Sequence, residues 1–328
     1  MRPAVEDAVR AGVLRVNSDG AVIFPAQPLT HPTTGAVNDR VMLDADGELR
    51  DEIIVKPTGG TVYLTRDLAA IRYRAEELGA DKILYVIGKE QQAHCLELFA
   101  MAAQLGYVAL GNAEHISFGH LNVDGRKMKS RAGKIALLND ILDESTEAAA
   151  NMLSDRKAAH GNQELLTPEE LEIARQVGTS AIIFNDLRQG REKDIEFDPD
   201  TAKTLEAGSS AYVQYTHSRL SSILTKVGEP IQLEEMPAEL STHEKTILFE
   251  VARLPQIIQD AAQLNAPHKV ATYLTGFCQA VNLFYHEQPV AKANTATERN
   301  FRLHLVKAAR QVIRNSADLL HLELPDRM

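Results

Sequence analysis

Tryptophan is missing from the 328 residues, aromatic side chains make up only 5% of them, and there are just two cysteines, Cys95 and Cys278. Those cysteines lie far apart, with no Cys-x-x-Cys spacing and no histidine pair nearby. They support neither a disulfide framework nor a zinc site, and no metal ligand is assigned. No window approaches the roughly 18 continuous apolar residues that a membrane-spanning helix needs. The opening stretch carries Glu6 and Asp7 and lacks the apolar centre of a secretory signal, so a cytoplasmic protein is expected. Positive charge is also short: 35 Lys and Arg against 45 Asp and Glu leave a net charge of −10. Indiscriminate coating of nucleic acid, which rests on accumulated cations, is therefore disfavoured, although a local basic face is not. What remains, 44% hydrophobic and 24% charged, is enough to bury a substantial core and fill two or more domains.

The pattern changes along the chain. Residues 1–60 read as a helix over 1–13 and short strands at 21–24, 40–43 and 53–55, broken by turns such as Asp19-Gly20 and Gly59-Gly60. From residue 61 the text becomes α/β. A strand at 61–64, a helix capped by Thr65 and ending at Gly79, a strand at 82–87, a helix over 91–105 ending at Gly106 and a strand at 115–121 follow one another with short joints. Parallel right-handed crossovers follow from that order, with ligands at the carboxyl ends of the strands. This is half of a Rossmann-type sheet. Beyond residue 135 the chain is nearly all helix: 139–153, a start at Thr167-Pro168-Glu169-Glu170, a polar, hinge-like 188–200, then amphipathic helices at 201–227, 243–264, 269–286 and 297–320 that suffice for a bundle. The expected division is a partial catalytic domain over 1–145, a helical connector over 146–205 and a helical domain over 206–328.

Chemistry concentrates in residues 125–133, which read Gly-Arg-Lys-Met-Lys-Ser-Arg-Ala-Gly. Glycines at both ends allow this loop to close, and its clustered cations suit a polyphosphate, though a basic surface turn has the same composition. Tyr63 and Asp67 sit where a strand should give way to a helix. A carboxylate there can take a guanidinium in a two-pronged hydrogen bond, or can simply complement the helix dipole. Gln91 and His94 lie one helical turn apart behind another strand. Arg299, Arg302, Lys307, Arg310 and Arg314 recur at spacings of 3, 5, 3 and 4, which keeps them on one side of a helix, either as a binding face or a solvated one.

Lys127-Met128-Lys129-Ser130-Arg131 resembles the Lys-Met-Ser-Lys-Ser loop of class I aminoacyl-tRNA synthetases, in the form found in arginyl-tRNA synthetases, with Lys129 standing before Ser130. The run from Tyr63 to Ala69 resembles that family's Tyr-x-Thr-x-Asp-[Leu/Ile]-Ala segment. The stretch from Ala211 to Leu220, with Phe284-Tyr285 and the closing Pro325 to Met328, is similar to its anticodon-binding bundle. The resemblance implies ligation of L-arginine to tRNA(Arg) through an arginyl-adenylate, with ATP as substrate and Mg2+ expected. It assigns Lys127, Lys129, Ser130 and Arg131 to catalysis, and Tyr63, Asp67 and Gln91 to arginine. His94, Phe118, Gly119 and Met128 go to ATP, and Tyr212, Tyr215, Tyr285 and Met328 to tRNA, to which the basic helix face adds Arg310. The family's His-x-Gly-His element, which stabilises the transferring phosphoryl group, is not found. The chain is therefore expected to be the carboxyl-terminal portion of such a ligase, inactive without its amino-terminal half, or else a non-catalytic tRNA-binding or helical partner module derived from one.

Overall fold

The computed structural model describes residues 1–30, 37–38, 42, 48, 50–123, 126–127, 137–159, 161–162, 164–197, 208–228, 230, 232–233 and 235–328. It contains two compact units, Met1–Gly119 and His120–Met328.

The first unit opens with α1 (Arg2–Arg10), whose Pro3 sits in the first turn, where a missing N–H costs nothing. Short strands follow: β1 (Arg15–Val16), β2 (Val22–Phe24), β3 (Leu29–Thr30), β4 (Val37–Asn38) and β5 (Glu52–Val55). β1, β2 and β5 form an antiparallel sheet, and β3 pairs with β4. Of the strand expected at 40–43, only Met42 lies within the described residues.

Next come α2 (Tyr63–Glu76), β6 (Ile83–Gly88), α3 (Gln92–Gln104) and β7 (Ala113–Phe118). β6 and β7 pair in parallel from Ile83↔Ala113 to Gly88↔Phe118, as the strand-helix-strand pattern requires. The glycines expected to end the two helices do so at Gly79 and Gly106, with φ of 63° and 71°, a left-handed turn that side chains resist. Leu64, Leu68, Ile71, Cys95, Leu98 and Met101 bury themselves against Phe24 and Ile54 to make the core.

Two expectations need correction here. Residues 61–64 are not a strand, because the helix already begins at Tyr63. Thr65 is not its cap either. Its buried hydroxyl accepts from the Val62 N–H and donates to the Ile54 carbonyl, tying the first turn of α2 to β5. The strand expected at 115–121 stops at Phe118, and its continuation joins a different sheet.

In the second unit, β8 (Leu121–Val123) pairs antiparallel with β9 (Arg126–Lys127). Helices α4 (Leu138–Ala159) and α5 (Pro168–Leu187) lead to β10 (Ile195–Phe197), which runs parallel to β8. The stretch expected to be a polar hinge thus contains a strand. Asp194 accepts from the His120 N–H, and Ile195, buried, donates its own N–H back to the His120 carbonyl, so local polarity yields to a ladder and one apolar anchor. The helix start at Thr167 is as expected: its hydroxyl accepts from the Glu170 N–H while Glu170 accepts from the Thr167 N–H.

Four long helices complete the unit, α6 (Ser210–Val227), α7 (Thr242–Gln263), α8 (His268–Glu287) and α9 (Ala296–Leu319). Val213, Leu220, Leu274, Phe277, Val281, Val306 and Ile313 form the centre of their shared core. Gly178 of α5 faces the α4 backbone so closely that an added Cβ would lie 2.7 Å from the Ser145 carbonyl. Ser145 fastens the same crossing by donating to the Gly178 carbonyl at 2.9 Å.

Candidate functional site

At the carboxyl end of β6 the chain makes a helical turn, Lys89–Gln91, and enters α3. This sets His94 in the first turn of α3, opposite the first turn of α2. Its Nε2 lies 2.7 Å from the Asp67 carboxylate, with the Asp67 side chain 40% exposed. Tyr63 lies one turn before Asp67 on the same face of α2 and is 80% exposed, with the Arg66 guanidinium against its ring. Neither residue of the expected guanidinium pair is consumed by the core. Gln91 is exposed just before α3, and Phe118, 44% exposed, closes β7 with Gly119 directly after it.

Behind this polar edge the environment is apolar. Cys95, one residue after His94, is buried, and desolvation, helped by the Asp67 charge, pushes its thiol up to about 12. It remains protonated and is no nucleophile. Burial likewise raises the Tyr85 hydroxyl, against which Arg74 stacks and to which it donates at 2.9 Å.

The basic loop enters through the β8–β9 hairpin, where Asn122 pairs with Lys127. Lys127 is described only as strand backbone, and Met128, Lys129, Ser130 and Arg131 lie outside the described residues.

In the helical unit the expected RNA-facing residues take unequal places. Tyr212 is half-buried against the bundle core. Tyr215 packs between the guanidinium groups of Arg156 and Arg219, 5.0 and 4.6 Å from its ring centre, and its hydroxyl accepts from Arg219, a bond that lowers its pKa. Tyr285 holds the other side of Arg219 at 4.8 Å. Met328 packs on Ala149, Ala174, Val177 and Ala211. Arg310 bonds Asp326 at 2.9 Å, while Pro325 accepts from Ser218 and His217, so the closing residues are stitched to α6. The idea of one solvent-facing basic stripe on α9 is corrected by Arg302. It is 8% exposed and paired with buried Glu244 at 2.8 Å, because the apolar face of α9 turns it toward α7.

Residues 18–199 match the family model for the catalytic domain of class I tRNA synthetases of the arginine type, over half of the chain, and residues 213–328 match the DALR anticodon binding domain. The chain belongs to the arginyl-tRNA synthetase family. It is 32% identical over 329 aligned positions to an arginine-tRNA ligase of Chloroflexus aurantiacus, covering 99% of this chain and 53% of that protein. A second arginine-tRNA ligase, from Bacillus thuringiensis, is 35% identical over 277 positions, covering 84% of this chain and 47% of its own length. The chain thus spans about half the length of the curated relatives it matches. In fold it is similar to the Thermus thermophilus arginyl-tRNA synthetase, with a TM-score of 0.82 at 20% identity over all of this chain and 58% of the other.

Within this synthetase-family frame, sequence reasoning missed the Asp67–His94 contact, because only folding brings α2 and α3 together across 27 residues. It also passed over Arg219, although the residue stands four positions after Tyr215, the spacing that stacks side chains on one helix face.

Proposed function

We propose that this chain acts as the carboxyl-terminal part of an arginine-tRNA ligase, working in the cytoplasm on L-arginine, ATP and tRNA(Arg). The observation that carries the reading is the half-exposed Asp67 carboxylate at the carboxyl edge of the parallel strands. One of its oxygens is engaged by His94, and Tyr63 lies exposed one turn away. Such a carboxylate suits a guanidinium, which presents paired donors to it. In the reaction, an oxygen of arginine's carboxylate attacks the α-phosphorus of ATP, the bond to the leaving pyrophosphate breaks, and a tRNA ribose hydroxyl then displaces AMP from the arginyl carbonyl. Positioning and charge stabilisation supply the rate, with Lys127, Lys129, Ser130 and Arg131 assigned to the phosphates and Phe118, Gly119 and Met128 to the nucleotide. Mg2+ is expected to accompany the ATP phosphates.

β6 pairs only with β7 among the described residues, and its Leu84 and Val86 are 46% and 62% exposed. A parallel sheet is ordinarily covered and flanked by further strands. This favours a chain that is catalytically incomplete until an amino-terminal half joins it. Arginine-dependent pyrophosphate exchange, measured with tRNA present, tests both points. The chain alone should be inactive and an added amino-terminal half should restore exchange. If tRNA binds but exchange stays absent with the added half, the chain is instead a non-catalytic tRNA-binding module.

A further inference from the structure

We propose that Thr65 is a positioning residue for the arginine pocket: its buried hydroxyl pins the first turn of α2 to β5 and so sets Tyr63 and Asp67 where a guanidinium can meet them. The proposal rests on the reading of Asp67 as the arginine carboxylate and says what holds that carboxylate in place. Thr65 stands midway between the two residues and points the other way, because two positions along a helix turn it by about 200°. Tyr63 is 80% exposed, whereas Thr65 is fully buried. Thr65 thus lies behind the pocket and acts through its neighbours, not on the substrate.

The first turn of α2 lacks the usual means of holding itself. Val62, at the N-cap, offers no side-chain oxygen, and no acid in the first turn complements the helix dipole. A helix start without such partners frays. Thr65 supplies what is missing, accepting from the Val62 N–H at 3.0 Å and donating to the Ile54 carbonyl. The β5 strand is shaped to receive that bond. Val22 of β2 lies opposite Val55, and Ile23 opposite Ile53, so Ile54 is an extra residue with no cross-strand partner. A bulge of this kind interrupts the ladder and re-aims the backbone next to a site. On the other side of α2, His94 of α3 takes the Asp67 carboxylate. Asp67 is therefore held between β5 and α3, and a displacement of about 1 Å at either would spoil a two-pronged contact.

The test is pyrophosphate exchange by the full chain with the amino-terminal half added and tRNA present, arginine and ATP being varied in turn. Thr65→Val keeps the shape and removes the hydroxyl. It should raise the arginine KM about ten-fold or more and leave kcat and the ATP KM unchanged. Thr65→Ser, which restores the hydroxyl, should return the arginine KM close to wild type. Thr65→Ala, a better helix former, carries the same expectation as the valine variant if that one fails to fold. A change that merely destabilises the chain lowers the amount of active enzyme, and so kcat, without moving KM. That pattern, or a serine variant as impaired as the valine one, would overturn the positioning role. Asp67→Ala is the control: a raised arginine KM there with wild-type values in the Thr65 variants removes Thr65 alone. An arginine KM unmoved by Asp67→Ala, or no exchange with the added half, removes the reading of the site and this inference with it.

Discussion

His94 Nε2 and the Asp67 carboxylate, brought within 2.7 Å by the crossing of α2 and α3, make a single unit of two residues that the sequence assigns to different substrates. The family resemblance makes Asp67 an arginine candidate and His94 a nucleotide candidate. The contact predicts that His94 serves the arginine side as well. In the completed ligase, His94→Ala should raise the arginine KM about ten-fold or more, the loss of a charge-assisted hydrogen bond that holds Asp67 in place. The ATP KM should hardly move. Steady-state kinetics with each substrate varied in turn separates the two, and an effect confined to ATP would return His94 to the nucleotide.

Arg302 and Glu244 tie α9 to α7 inside the bundle, and the pair has a predictable acid response. Burial acts to raise the Glu244 pKa, but the hydrogen bonds from Arg302 and from Ser241 outweigh it and hold the carboxyl below its usual range. The stabilisation is therefore present above the ordinary carboxylate pKa and is lost as the pH falls through the lower, folded value. Arg302→Ala leaves a carboxylate buried without its partner and should cost about 3–5 kcal/mol at neutral pH. Replacing both residues by methionine should cost much less. Urea unfolding at neutral and acid pH checks the magnitude and the trend, and equal losses for the single and double variants would show that the charge pairing is irrelevant.

Glu97 has the opposite sign. Buried on α3, it is pushed up to about 7, first by desolvation and then by the charge of Glu52. Between the ordinary carboxylate range and this value the folded chain keeps a proton that the unfolded chain has released, so stability declines as the pH rises through the window and levels off above it. Glu97→Gln should remove that slope. Thermal unfolding is expected to show a gain of about 1–2 kcal/mol at pH 8 and little change at pH 4. A loss at pH 8 would mean that ionised Glu97 has a stabilising role.

Gly178 reverses a familiar rule. An alanine in place of a mid-helix glycine ordinarily stabilises by up to about 1 kcal/mol. Here the new Cβ would meet Ser145 and Thr146 backbone atoms at 2.7 Å, which cannot step aside as a flexible side chain would. Gly178→Ala should instead destabilise by about 1–3 kcal/mol and loosen the α4–α5 crossing. Chemical denaturation measures the sign directly.

The elements were legible where side-chain period and punctuation agreed. Gly79, Gly106 and the Thr167 capping box end or begin helices where the sequence places them. Three of the four bundle helices follow from their apolar stripes; the one expected from 201 begins only at Ser210, capped by Ser209, and 201–207 lie outside the described residues. Misreadings came where a distant partner overruled the local pattern. Residues 61–64 look like a strand, yet Thr65 bonds to Ile54, eleven positions away, and the helix starts early. The turn-rich 188–200 becomes partly a strand because β8 supplies a ladder more than 70 residues distant in sequence. The arginine-site candidates were legible as letters in a motif. Their relation was not, since a contact between two helices has no signature along the chain.

The bare side of β6 has a practical outcome. Among the described residues no second strand covers its outer edge, and Leu84 and Val86 stand exposed on its face, so another copy of the chain can pair with it. At high concentration the isolated chain should tend toward edge-to-edge association and clumping, and a partner that caps this strand would act as its solubiliser.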